Sequence, residues 1–140
     1  MEVVTLFVNF YKSLDTQSLS ELKNIYSDDV VFVDPVTRHE GFAAVHRYFE
    51  QLLVDVNECT FDISQIKEVD STVFVNWTMH FRHPKLKAGK LISVEGVSQL
   101  IVKEHKICYQ RDYYDLGSML YEHVPLIGSV IKFLKKRLAS

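Results

Sequence analysis

The strongest constraint in this sequence is a change of hydrophobic period between its two halves. In the first half, apolar residues recur every three to four positions, which is the period of an amphipathic helix. From residue 59 onward the period is two, as in a strand that buries one face. Helices that come first, followed by a run of long strands, are typical of an α+β fold with helices on one face of an antiparallel sheet. We therefore predict this fold class.

Three helices are predicted in the first half. The first covers residues 2–14, the second opens at the capping box of residues 18–21 and ends at Asp28 and Asp29, and the third follows Gly41. The apolar faces of the first and third helices consist of Val3, Phe7, Phe10, Leu14, Phe42, Val45, Phe49 and Leu52. These faces are expected to cover the sheet.

Four strands follow from the pattern. A short buried strand at residues 30–33 ends before Pro35, because proline cannot donate to a strand ladder. Longer strands are predicted along residues 73–82, 91–102 and 106–114, where apolar and polar side chains alternate. The longer strands follow one another closely enough to be joined as hairpins.

Composition and charge narrow the class of protein. The chain has 140 residues with 16 basic and 18 acidic side chains, a net charge of −2, which argues against a nucleic-acid surface. Residues 1–140 show no linker and no repeat, so we predict a single domain. Cys59 and Cys108 are isolated, which favours reduced thiols in the cytoplasm. No histidine pair has metal-ligand spacing, and neither a signal peptide nor a membrane span is predicted.

Residues 126–138 predict an amphipathic helix appended to this domain. It contains four basic side chains and no acidic one. We expect its apolar stripe to pack against the domain, since Pro125 and Gly128 allow the chain to turn back. The alternative is contact with an anionic membrane surface or a partner, which a basic amphipathic helix also suits. The stripe consists of Ile127, Val130, Ile131, Leu134 and Leu138.

Two stretches carry a resemblance to a known superfamily. Residues 26–36, YSDDVVFVDPV, followed by Gly41 and a helix, resemble the nuclear transport factor 2-like superfamily, which includes ketosteroid isomerases and SnoaL-like polyketide cyclases. Residues 96–100, GVSQL, and 111–116, RDYYDL, are similar to the end of limonene epoxide hydrolases. The resemblance covers about residues 3–116. It implies a cone-shaped, curved, mixed but mostly antiparallel sheet around three helices, with a pocket at the open end.

The resemblance also implies roles for two aspartates. Asp34 falls where ketosteroid isomerases carry their general base, in the same Asp-Pro-Val context. Asp112 matches a catalytic aspartate of the epoxide hydrolases, and in the cyclases an aspartate near the last strand acts as acid or base. Asp34 and Asp112 are therefore the candidate catalytic residues.

The chain departs from these families at four positions. Phe10 and Ser98 fall where the isomerases place the two donors to the enolate, so the strong oxyanion hole is absent. Trp77 and Met79 fall where the hydrolases carry an arginine and a second aspartate, so the hydrolytic triad cannot form. The resemblance therefore implies the fold more specifically than it implies any one reaction.

The strand period predicts which side chains point into the pocket. An apolar cup with a few polar groups is the usual composition of a small-molecule site, and its walls raise carboxylate pKa values. The predicted lining residues are Phe32, Trp77, Met79, Val94, Ser98, Gln110 and Tyr114. Structural alternatives exist: Asp34 as a turn-forming residue before proline, Asp112 as an ion-pair partner of Arg111 or His80, and the lining residues of the middle strand as core.

We predict that the protein binds a small, largely apolar molecule without metal or cofactor. An enzyme of this kind would use Asp34 and Asp112 for acid/base isomerisation, cyclisation or hydration. The alternative is a non-catalytic binding or scaffold domain. Phe74, Val97 and Ile101 lie on the outward face of the sheet, which helices do not cover. In this superfamily the partner of that face is commonly a second copy, so a homodimer is expected.

Overall fold

The structure is a computed structural model that describes residues 1–55 and 58–140. Within these residues the chain forms five α-helices and six strands. Their bounds are α1 Glu2–Lys12, α2 Leu22–Ile25, β1 Tyr26–Val33, β2 Arg38–Glu40, α3 Phe42–Asp55, β3 Glu58–Val69, β4 Thr72–Arg82, β5 Ile92–Lys103, β6 Lys106–Tyr114, α4 Leu116–Met119 and α5 Ile127–Ala139. The helices of the first half and the long strands of the second half confirm the predicted α+β class.

The six strands form one mixed sheet in the order β2-β1-β6-β5-β4-β3. Strands β3 to β6 are joined as antiparallel hairpins, whereas β1 pairs with β6 in parallel. In that parallel pair Val33 lies opposite Arg111. The residues that follow, Asp34 and Asp112, therefore come to the same level of the sheet, and this register brings the two candidate carboxylates to one site.

The helices bury their apolar faces against one side of the sheet. Phe7 of α1 and Phe49 of α3 are completely buried, and they belong to the same core cluster as Val75 and Leu100 of the sheet. A smaller cluster of Phe81, Ile92 and Val94 lies toward the other end of the strands, where Met119 of α4 packs against it. The predicted helical faces are therefore the faces that pack.

The predicted second helix is wrong in its bounds. Residues 17–21 form a 3₁₀ turn, and α2 ends at Ile25 instead of continuing to the aspartates. Ser18 does not cap the helix, because it exchanges hydrogen bonds with the preceding Asp15: each backbone N–H donates to the other side chain, at 2.8 and 3.1 Å.

Asp28 and Asp29 lie inside β1, which is longer than the predicted strand at residues 30–33. Both side chains are exposed. The pairing of β1 with β6 shifts register between Tyr26 and Val31, so the aspartates occupy an irregular segment of the strand. Residues that favour turns are tolerated at such a bulge.

The prediction that the apolar stripe of the C-terminal helix packs against the domain is wrong. Val130, Leu134 and Leu138 are 57, 52 and 87% exposed. The one residue of α5 that is buried is Gly128, where an added Cβ would lie 2.4 Å from the carbonyl oxygen of Glu122. The helix is thus anchored through its first turn, and its stripe is exposed apart from the partly buried Ile131. No helix in the described residues is long and apolar enough to cross a membrane.

Candidate active site

A cavity of about 280 Å³ opens among α1, α3, α4 and one face of the sheet. Most of its wall is apolar, and it includes Val36, Phe49, Leu52, Phe61, Trp77, Met79 and Met119. Its polar wall residues are Tyr11, Asp34, Thr37, His39, Tyr48, Asp112 and Tyr114. The cavity is close in size to the smaller ligand pockets of proteins, which begin at roughly 300 Å³.

The structure brings five of the predicted site residues to this wall. Both aspartates line the cavity, and so do Trp77, Met79 and Tyr114. It corrects the position of the other four, Phe32, Val94, Ser98 and Gln110, which are at most 2% exposed and lie behind the wall. They point inward as the strand period requires, but neighbouring side chains cover them.

Asp112 is the most buried carboxyl on the cavity wall, with 8% of its surface exposed. Its Oδ1 accepts a hydrogen bond of 2.6 Å from the Ser98 hydroxyl and one of 3.0 Å from Nε2 of Gln110. No described residue donates to its Oδ2. One carboxylate oxygen is thus held by the protein, and the other is free for a ligand or a proton.

The two donors to Asp112 are themselves held in place. The Ser98 hydroxyl accepts a 2.9 Å hydrogen bond from the indole N–H of Trp77. The amide oxygen of Gln110 accepts one of 2.5 Å from the Tyr26 hydroxyl, and its Nε2 also donates to the Tyr11 hydroxyl at 3.1 Å. Because each donor is fixed by a second partner, the carboxyl is held in one orientation.

Burial raises the pKa of Asp112 to about 7. Removal from water is the main cause; the hydrogen bonds from Ser98 and Gln110 lower the pKa, and the charge of Asp34 raises it. Neither predicted ion-pair partner reaches it, since Arg111 stacks over the ring of Tyr113 and His80 hydrogen bonds to another carboxylate. A pKa near neutrality allows this carboxyl to both give and take a proton.

Asp34 has a structural role as well as a place on the cavity wall. Its Oδ1 accepts hydrogen bonds from the backbone N–H groups of Val36 and Thr37, at 2.8 and 2.9 Å. The backbone N–H of Asp34 donates in turn to the carbonyl of Thr37. The carboxylate therefore closes the turn between β1 and β2, as the structural alternative predicted.

Four polar residues on the wall, Tyr11, Thr37, His39 and Tyr48, were not predicted from the sequence. The hydroxyl from α1 that reaches the site belongs to Tyr11, whereas Phe10, at the position expected from the resemblance, packs in the core. A signal existed for Tyr11, because it lies four residues after Phe7 and so on the same helical face.

His39 and Tyr48 lie side by side, with ring centroids 4.9 Å apart. The Nε2 atom of His39 is buried and has no hydrogen-bond partner among the described residues. Burial raises the pKa of the Tyr48 hydroxyl above its usual value, and the charges of Asp112 and Asp34 add to this effect. Tyr48 is therefore a neutral donor or acceptor at ordinary pH.

Gly96 shapes the opposite side of the site. A Cβ atom at this position would lie 2.2 Å from the Trp77 ring, which occupies the space above the glycine. The indole can therefore lie flat against β5 and still reach Ser98.

Among the described residues, no group of three or more His, Cys, Asp and Glu side chains could hold a metal ion. The residues of the cavity wall include neither lysine nor arginine, so an anionic ligand group would find no opposite charge there. The chemistry that this arrangement can perform is proton transfer to or from a bound molecule. An apolar molecule that carries a neutral polar group matches the wall best.

The mixed six-stranded sheet packed against helices, with a cavity between them, is the cone-shaped fold of the nuclear transport factor 2-like class. The sequence profile of the SnoaL-like domain family matches residues 7–110. The chain therefore belongs to the SnoaL-like domain family. This membership confirms the resemblance to SnoaL-like proteins found in residues 26–36. No curated protein matches the chain.

Several solved structures share the fold. A candidate SnoaL-like polyketide cyclase from Jannaschia sp. CCS1 is similar with a TM-score of 0.77, at 9% identity over 89% of this chain and 92% of that one. Another candidate SnoaL-like polyketide cyclase, from Shewanella putrefaciens CN-32, has a TM-score of 0.69 and 22% identity, over 85% and 93% of the two chains.

A third similar structure is a protein from Catenulispora acidiphila with a ketosteroid isomerase-like fold, in complex with trimethylamine. Its TM-score is 0.74, with 16% identity over 89% of this chain and 94% of that one. At such identities these likenesses establish the fold, and one fold supports many activities.

Proposed function

We propose that this protein binds a small, largely apolar molecule in the cavity and catalyses proton transfer on it through Asp112. The observation that carries the proposal is the environment of this carboxyl. One of its oxygens is fixed by Ser98 and Gln110, the other has no donor among the described residues, and its pKa is about 7. A carboxyl with this pKa is half protonated near neutral pH, which suits a general acid or base.

The surrounding wall supports an acid/base isomerisation, cyclisation or hydration. Trp77, Met79 and Phe61 offer apolar contacts, and the hydroxyl groups of Tyr11 and Tyr48 are neutral hydrogen-bonding groups near the carboxyl. An oxygen on the substrate that gains negative charge would be stabilised by such donors. Asp34 contributes its charge, which favours the protonated form of Asp112.

A panel of apolar ketones and enones tests the proposal. Compounds that raise the melting temperature are incubated with the protein in D₂O, and exchange of the protons next to the carbonyl is followed by NMR. We expect Asp112→Asn to bind the same compounds but to exchange protons at least about a hundredfold more slowly. Asp62→Asn, a change at an exposed carboxylate that pairs with His80, is the matched control. Equal exchange rates in both variants would contradict catalysis, and a panel without any stabilising compound would contradict binding.

A non-catalytic binding domain is the second candidate, and the hydrogen bonds of Asp34 favour it. An oxygen of that carboxylate closes a turn, so the structural role of the residue accounts for an aspartate at this position without catalysis. Binding without exchange in the wild-type protein would support this alternative. The open cavity argues against a scaffold whose pocket is filled by its own side chains.

We also propose a cytoplasmic homodimer. The outer face of the sheet carries Val97 between Asn76 and the half-exposed Tyr113. The predicted apolar neighbours Phe74 and Ile101 on this face are only partly buried. The free thiols of Cys59 and Cys108 support a reducing compartment.

A further inference from the structure

The C-terminal helix α5 exposes an apolar stripe that the domain does not cover. Ile127, Val130, Leu134 and Leu138 of the stripe are 52, 57, 52 and 87% exposed, and Phe133, at the edge of the stripe, is 59% exposed. An unpartnered stripe of this size on a 13-residue helix is unfavourable in water, so it needs an occupant.

The side of α5 that faces the domain is a different one. Gly128 packs against the backbone of Glu122, and Lys135 approaches the carboxylate of the same residue at 3.4 Å. At 100° per residue these two positions lie within about 20° of each other, whereas Val130, Leu134 and Leu138 lie roughly 70–150° away. The helix can therefore use its stripe without leaving the domain.

The charge of the helix identifies the occupant. Residues 127–139 contain Lys132, Lys135, Lys136 and Arg137 and no acidic residue. Long basic side chains beside an apolar stripe can reach headgroups while the stripe enters the acyl region. Arg137 already lies over the ring of Phe133, at 6.0 Å from its centroid, at the border of the two surfaces. A second copy of α5 would bring four more positive charges to the same place without a counter-charge.

We propose that α5 is an interfacial anchor that docks the protein on anionic phospholipid membranes. The stripe inserts below the headgroups, and the basic side chains pair with the lipid phosphates. The anchor is also close to the cavity in the chain, because Met119 of the cavity wall precedes Ile127 by eight residues. Eight residues span at most about 30 Å, so the docked helix keeps the cavity near the bilayer, which is a source of apolar molecules.

Flotation of the full-length protein with lipid vesicles tests the proposal. At about 0.15 M salt, we expect the protein to float with phosphatidylcholine–phosphatidylglycerol vesicles in a roughly three-to-one ratio and not with pure phosphatidylcholine. Phe133→Asp should abolish flotation, since it replaces the exposed aromatic ring at the edge of the stripe with a charge. Val54→Asp, a change at an apolar residue of α3 that is 76% exposed, should leave it intact.

A second pair of variants tests the contribution of the basic side chains to vesicle binding. The triple variant K132Q/K136Q/R137Q should bind anionic vesicles about a hundredfold more weakly. K12Q/K67Q/K103Q removes the same charge from exposed positions outside α5 and should bind as the wild type does. Both Phe133 and the basic residues are exposed, so the variants should keep the melting temperature of the wild type.

Three outcomes would overturn the proposal. In the first, the wild-type protein does not float with anionic vesicles. In the second, Phe133→Asp floats as well as Val54→Asp does. In the third, Phe133→Asp halves the molar mass measured by light scattering while the wild type ignores vesicles, and a second copy is then the occupant of the stripe. None of these results depends on the activity of the cavity.

Discussion

The side chain of Asp112 costs free energy to ionise, because the fold removes it from water and supplies no cation. Its pKa is about 7 in the folded protein, against 3.8 for an ordinary aspartate. Between these values the folded state keeps a proton that the unfolded state has released. Stability therefore falls as the pH rises through this window, and the loss reaches about 4 kcal/mol above it.

Asp112→Asn removes this cost while it retains an oxygen that accepts from Ser98 and Gln110. We expect the variant to match the wild type in melting temperature at about pH 4, where the aspartate is protonated, and to exceed it by several degrees at about pH 8. Thermal unfolding at the two pH values measures the difference. Asp62→Asn, at an exposed carboxylate, should show no comparable gain at high pH. If Asp112→Asn instead lowers the melting temperature at both values, the aspartate is a structural acceptor.

Among the elements, strands β4, β5 and β6 were the most predictable from sequence, whereas the equally long β3 and the short β2 were not predicted. Successive residues of a strand point to opposite faces of the sheet. The alternation along β4 therefore correctly assigned Trp77 and Met79 to the inner face. Helical faces have no such sharp border. Tyr48 precedes the core residue Phe49 and belongs to the edge of its stripe, which explains why the sequence did not assign it to the site.

The pattern of a strand also does not show how deeply an inward-pointing side chain is buried. Ser98 and Gln110 point inward as predicted, but the indole of Trp77 and the hydroxyl of Tyr11 reach over them. Those neighbours come from other elements, whose positions depend on the assembled fold. The pattern could therefore predict the direction of these residues and not their role as donors behind Asp112.

The contact between Gly96 of β5 and the Trp77 ring of β4 can be tested by substitution. In Gly96→Ala the new Cβ would overlap the Trp77 ring, which must then move and strain its hydrogen bond to Ser98. We expect a loss of about 1–3 kcal/mol in the free energy of unfolding, measured by denaturant titration, together with a change in tryptophan fluorescence. Glu95→Ala, at the exposed neighbouring position, is the control. A Gly96→Ala protein as stable as the control would mean that the indole has another place to go.

For the whole molecule, the parallel pairing of β1 with β6 has the largest consequence. It inserts an early strand beside the last one and places Asp34 at the level of Asp112. Nothing in the local sequence of either strand specifies this neighbour, because both patterns would also suit an antiparallel pair. The resemblance implied a mixed, mostly antiparallel sheet without specifying this pair, and residue periodicity alone predicted only an antiparallel one.

The outer face of this sheet is where we predict the contact between two copies of the protein. If the protein is a homodimer across that face, Val97 lies near a two-fold axis, where each substitution occurs twice and faces its own copy. Val97→Glu would then bring two negative charges together in an interface that removes them from water. We expect light scattering to give twice the chain mass of 16.3 kDa for the wild type and the single mass for the variant. Val54→Glu, at an exposed position of α3 away from the sheet face, should remain dimeric. A wild-type protein with the mass of one chain would rule the dimer out. If Val97→Glu is still dimeric, the interface lies on another surface, and the stripe of α5 is the next one to test.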